Sequence, residues 1–150
     1  MTFARKGHPA IAGWSAAAWK RSPHVVVQLG ERVRSQVEIA AQNEGIERII
    51  GATVPNSSQI PPLLSQTNLL STMTPLVMDG AMERYGLVAL EAPIPIAASA
   101  FSFIWSFRLE NDPGSRWFRT LVMRTYQEFR RSVVDQTSGR GIVKTRKQRK

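Results

Sequence analysis

Residues 48–75, RIIGATVPNSSQIPPLLSQTNLLSTMTP, constrain the fold more than any other stretch of this chain. An apolar run over residues 48–54 ends at Pro55 and reads as a strand. Asn56, Ser57 and Ser58 then open a short helical pattern in which Ile60, Leu63 and Leu64 are apolar. With Ser58 as the cap, Pro61 and Pro62 fall in the first turn, where backbone N–H groups have no intrahelical partner. A second apolar run over residues 69–73 stops at Thr74 and Pro75. A strand–helix–strand unit this short predicts a parallel crossover between buried strands. Its helix start would aim free N–H groups and serine hydroxyls at the carboxyl end of a strand, where open α/β sheets hold small ligands. Ile50 is expected at the buried centre of that sheet, so that Ile50→Asp should be severely destabilising.

The flanking chain continues the alternation. Residues 11–20 read as a short helix with Trp14 and Ala18 one turn apart, and His24 to Leu29 as a buried strand ended by Gly30. Residues 31–44 read as a helix with Val33, Val37, Ala40 and Ala41 on one face, acid at its start and Gly45 beyond its end. Residues 76–85 read as another helix, 87–90 as a strand and 91–100 as an extended connector carrying Pro93 and Pro95. Residues 101–109 alternate, with Phe101, Phe103, Trp105, Phe107 and Leu109 on one face and Ile104 the one exception on the polar face, and are predicted as a strand. Asp112 and Pro113 then open a helix to about residue 134, with Trp117, Phe118, Leu121, Val122, Thr125 and Phe129 along one stripe. Residues 135–150 lose periodicity, hold six basic residues and one acid, and carry more than half of the net charge of +9. They are expected to be a disordered basic tail.

Taken together, TVP at residues 53–55, the short helix and T-x-L-L-x-T at 67–72 resemble the effector-binding domain of LysR-type bacterial transcription regulators. ARKGHPA at 4–10, PHVVVQLG at 23–30, YGLVALEAPIPI at 85–96 and IWSFRLENDPGSRWFR at 104–119 extend the resemblance across residues 3–129. The last of these is most similar to the nodulation and aromatic-catabolism branch. The resemblance implies an α/β, type II periplasmic-binding-protein-like fold: one near-complete lobe over residues 7–92, plus the returning strand and helix of the other lobe over 101–134. It implies two crossover connectors as a hinge, the first over residues 3–10. It places a ligand cleft at Gln28, Leu29 and Gly30, at Pro55, Asn56, Ser57 and Ser58, and at Ala98, Ser99 and Phe101. Where branches of the family often carry a histidine just after TVP, this chain has Asn56. The expected partner is a small-molecule effector, aromatic or carboxylate. The family is homo-oligomeric and reads DNA through an N-terminal winged helix-turn-helix, which this sequence lacks, so the chain is expected to be a fragment without specific DNA binding. Its aromatic third, with eight of the twelve aromatics between residues 101 and 129, would then lack a cover and tend to self-associate.

Other chemistry finds little support. There is no cysteine, hence no disulfide or thiolate zinc site. No phosphate loop, metal-ligand spacing or nucleophile elbow occurs, so no cofactor, no metal and no catalytic residue is expected. His8 beside Pro9 reads as structural. Ser57 and Ser58 read equally well as helix caps. No apolar run approaches a membrane span and no secretory leader follows Met1, which points to a cytoplasmic protein. The alternative reading is a small basic protein binding nucleic acid without sequence preference through its tail.

Overall fold

A computed structural model describes residues 1–28, 30, 34–78, 80–98 and 101–139. The chain opens in β1 (Thr2–Arg5), turns through Pro9–Ile11, forms α1 (Ala16–Arg21) and enters β2 (Pro23–Val27). Then come α2 (Gln36–Asn43), β3 (Ile49–Val54), a 3-10 turn (Ser57–Gln59), α3 (Ile60–Gln66) and β4 (Ser71–Thr72). A second such turn (Pro75–Val77) and α4 (Ala81–Arg84) lead to β5 (Leu87–Leu90), and α5 (Pro113–Gly139) follows a last turn at Phe107–Leu109.

β2 and β3 pair in parallel, whereas β4 and β5 both run antiparallel to β1. A parallel bridge between His24 and Leu70 joins the two groups, with Val25 N–H donating to the Leu70 carbonyl at 2.8 Å. The strand order is therefore β3-β2-β4-β1-β5. Phe3 and Ala4, adjacent on β1, point to opposite faces and seed two cores. On one face Ala4 packs with Trp14, Trp19, Ala40, Ala41, Leu70, Leu90 and Ile94. On the other, Phe3 packs with Val25, Ile60, Leu64, Met78, Leu87 and Ala89. Helices thus cover both faces, which is why the strands read as continuous apolar runs.

The predicted strand–helix–strand unit is present, and its two strands flank β2. That order puts β3 at the sheet edge and not at its centre. Ile49 and Ile50 are half-exposed there, at 51% and 47%. The expectation for Ile50→Asp is corrected accordingly. Charges are a normal feature of edge strands, so the substitution should cost no more than about 1 kcal/mol, read as a near-unchanged urea midpoint. The sensitive residue is its neighbour. Gly51 is the extra residue of a bulge, since Ile50 faces His24 and Ala52 faces Val25. A Cβ built on Gly51 would lie 2.8 Å from Leu69 Cδ2 and 2.9 Å from Pro23 Cβ. Gly51→Val is expected to cost about 1–3 kcal/mol by overpacking, visible in the same denaturation series.

Several other boundaries move. Residues 2–5, expected in a connector, are the strand that β4 and β5 share. α2 starts at Gln36, where Ser35 Oγ accepts the Glu38 N–H at 3.1 Å. The predicted helix over 76–85 is divided by Gly80, whose left-handed backbone (φ 69°) breaks the helical path. Ser58 does not cap α3, whose N-cap position is Gln59 with no side-chain cap bond; Asn56 caps the 3-10 turn before it, its Oδ1 taking the Ser58 N–H at 3.1 Å and also the Ser58 hydroxyl. Pro61 and Pro62 do lie in the first turn of α3.

The predicted strand over 101–109 does not form. Its alternation marks β propensity, but a strand also needs a neighbour to bond, and no described strand runs beside it. The segment folds on itself instead. Arg119 reaches back to donate to the Leu109 and Glu110 carbonyls at 2.9 and 2.8 Å. Its guanidinium carbon sits 4.8 Å from the Trp105 ring centroid, and Trp105 Nε1–H donates to Glu110 at 2.5 Å. The aromatic face stays wet: Phe107 is 88% exposed and Phe101 59%. Asp112 caps α5 as expected, accepting the Ser115 N–H at 2.6 Å. α5 runs on to Gly139, past its expected end at 134. Trp117 and Phe118, on the expected inner stripe, are exposed.

Candidate functional site

The strand order reverses between β2 and β4: the chain leaves β2 towards one edge of the sheet and leaves β4 towards the other. Loops diverge at such a switch point, opening a crevice beyond the strand carboxyl ends. A groove of about 980 Å³ lies there. Its floor is Val25–Val27 of β2 and Ser71–Pro75 at the end of β4; one wall is the start of α2, Ser35–Val37. The connector (Ile94, Ile96, Ala97, Ala98) and Phe101 form a second wall. α5 closes the third with Met123, Tyr126, Gln127, Arg130 and Val133. These residues recur at helical spacing and define the inward face of α5. Phe101 and Tyr126 touch, with ring centroids 6.2 Å apart, and Val133 is buried.

Below the floor the two tryptophans fix the frame. Trp14 Nε1–H donates to the Glu91 carbonyl at 2.8 Å, pinning the connector to the lobe. Trp19 Nε1–H donates to Thr72 Oγ1 at 3.0 Å, and Thr72 Oγ1 shares a 2.9 Å hydrogen bond with Thr2 Oγ1. His24 lies fully buried against the Trp19 ring, centroids 4.7 Å apart, and its Nε2 donates to the Trp19 carbonyl at 3.0 Å. Its Nδ1 has no partner among the described residues. Burial pushes the His24 imidazole down to about 4, against the raising effect of its bond to Trp19. His8 is structural: Nδ1 accepts the Ala10 N–H and Nε2 donates to the Asn68 carbonyl, both at 3.0 Å.

A second, smaller groove of about 380 Å³ runs between α2 and the β2–β3 edge, lined by Glu38, Gln42, Glu47, Ile50 and Thr53 among others. Arg48 borders both grooves. Burial holds its guanidinium below the usual arginine range, opposed by the nearby Glu38 carboxylate.

Of the cleft residues expected from sequence, Ala98 and Phe101 line the larger groove. Gln28 lies one residue beyond its floor, exposed, with its N–H on the Val54 carbonyl at 2.9 Å. Gly30 is exposed in a positive-φ conformation. Pro55, Asn56, Ser57 and Ser58 follow the edge strand and line neither groove. Leu29 and Ser99 lie outside the described residues. Sequence reasoning did not reach the end of β4, the start of α2 or the inner face of α5. Thr74-Pro75 closes a strand just as Gln28 does, and that signal was available.

A family model described as the LysR substrate binding domain matches residues 1–127. The HTH-type transcriptional activator NagR of a Ralstonia species is 26% identical over 125 residues, covering 83% of this chain and 42% of that protein. Nodulation protein D 2 of Rhizobium tropici is 32% identical over 102 residues, covering 67% of this chain and 32% of that protein. The chain thus spans less than half the length of either relative. Among solved structures, the regulatory domain of MexT, a transcriptional activator in Pseudomonas aeruginosa, superposes with a TM-score of 0.63 at 20% identity, covering 81% of this chain and 58% of that one.

Proposed function

The chain belongs to the LysR substrate-binding domain family, and from that premise we propose that it is the effector-sensing portion of a transcription regulator, binding a small molecule in the larger groove. One observation carries the reading: an open groove of about 980 Å³ at the switch point of the sheet, with a largely apolar wall and a few polar groups converging on it. A transcriptional activator among the relatives supports the regulatory context. The role is binding and not catalysis. The sensing unit covers residues 1–134, followed by the basic stretch at 135–150, whose first residues to Gly139 continue α5, and acts in the cytoplasm; no described helix is long and apolar enough to cross a membrane.

The test is a two-dimensional amide NMR titration of the whole chain with a panel of small aromatic and carboxylate compounds. Binders should shift the amides of Val26, Val27, Gln36, Thr74, Ala98 and Tyr126 together. Shifts confined to the loop after β3, or to the exposed aromatics, would overturn the groove as the site. Specific DNA recognition needs an element placed in a groove of the duplex, and the short helices α1–α4 are committed to the sheet. Residues 1–150 are therefore expected to bind promoter and scrambled DNA alike, and to release both when salt is raised, as read by mobility shift.

A further inference from the structure

We propose that Arg48 is the anion-binding residue of the groove, holding a carboxylate of the ligand from beneath while the Phe101–Tyr126 wall takes its apolar body. The inference rests on the groove being the effector site and adds the group that would read ligand charge. Three observations support it. Arg48 precedes the edge strand, is half-buried and lines both grooves. No hydrogen bond or ion pair to it occurs among the described residues; the Trp19 ring, with its centroid 6.0 Å away, is its one ring contact. Glu38 is near enough to be felt but does not close a salt bridge among the described residues. The half-buried guanidinium is partly desolvated yet faces no carboxylate within salt-bridge distance among the described residues. A carboxylate would match its fork in two parallel bonds.

The expected anion site at Ser57 and Ser58 is a weaker candidate, because Asn56 already takes the Ser58 N–H and hydroxyl. The charged groups facing the grooves are few. Exposed Arg130 on α5, Glu91 and Met1 with its terminal ammonium line the larger one; Glu38 and Glu47 line the smaller.

The probes are benzoate and its neutral isostere benzamide, titrated into the full chain and its Arg48→Met and Arg48→Lys variants by calorimetry and amide NMR. The native chain should prefer benzoate by about tenfold or more, the scale of one charge-assisted hydrogen-bond pair. Arg48→Met should bind the two equally, and Arg48→Lys should keep part of the preference. Without any probe, Arg48→Met should melt at a higher Tm than the native chain, because a partly desolvated cation with no ion-pair partner among the described residues is removed. A lower Tm for Arg48→Met would make the side chain a structural strut and overturn the proposal. Equal binding of both probes in the native groove would overturn it too, while leaving the groove as the effector site. If neither probe shifts groove amides at millimolar concentration, the proposal and the reading beneath it both fall.

Discussion

Trp19→Ala is expected to destabilise the chain by about 4 kcal/mol, within the usual range for deleting a buried large aromatic. Trp19 has no exposed surface and belongs to the core on the α1–α2 face of the sheet. Two further links depend on its side chain. Its Nε1–H holds Thr72 Oγ1, and its ring packs edge-on against the His24 imidazole. Truncation leaves a cavity large enough to loosen β2, β4 and β1 at once. Against a typical total of about 5–15 kcal/mol, the loss should leave the variant largely unfolded near body temperature. Urea denaturation followed by near-ultraviolet circular dichroism reads this directly. Trp19→Phe, which restores bulk but not the N–H, should recover more than half of the loss. A Trp19→Ala variant within about 1 kcal/mol of native, well below the range for such deletions, would mean that the surrounding helices collapse into the space.

The second large effect is on acid stability and comes from His24. Its folded-state value, about 4, lies below the ordinary histidine value of 6.5. The unfolded chain therefore binds more protons than the folded one between those two values, so stability falls as pH drops through the window. Above pH 6.5 the penalty is absent. At pH 4.5 and below it should reach roughly 2–3 kcal/mol. The physical cause is that a charged imidazole would sit in the core beside Arg48, with one ring nitrogen lacking a partner among the described residues. His24→Gln should be less stable than native at pH 7, because the bond to the Trp19 carbonyl is lost. It should also show a much flatter profile between pH 6.5 and 4.5. Parallel slopes for the two proteins would remove His24 as the cause.

The strand–helix–strand unit and the strands at 23–27 and 87–90 were legible because each is an apolar run punctuated by Pro or Gly. What sequence could not supply was adjacency. Arg48–Val54 looks like a core strand by composition, and only the strand order shows that it is an edge. Thr2–Arg5 carries a four-residue signal whose partners lie 68 to 88 residues away, so its place at the heart of the sheet was invisible locally. Phe101–Leu109 shows the reverse: a strong local pattern with nothing described to pair with. The site divides in the same way. Ala98 and Phe101, which the resemblance singled out, line the candidate groove, but the end of β4 and the face of α5 enter it through packing between elements distant in sequence. Arg48 looked like one more surface cation before a strand. Its interest arises only because it lines both grooves without an ion-pair partner among the described residues.

The position of β1 also sets the order in which this chain can be assembled. β2, α2 and β3 are contiguous and can pair as soon as they exist. β1 is made first but must wait, because its ladder partners are residues 71–72 and 87–90. Until residue 90 is available, Phe3 and Ala4 have no sheet to enter, and neither core can close. Loop closure over that distance precedes any gain from the contacts it makes, which slows folding and leaves apolar surface open meanwhile. A chain shortened by its first five residues would lose the strand that joins β4 to β5, and with it the continuity of the whole sheet.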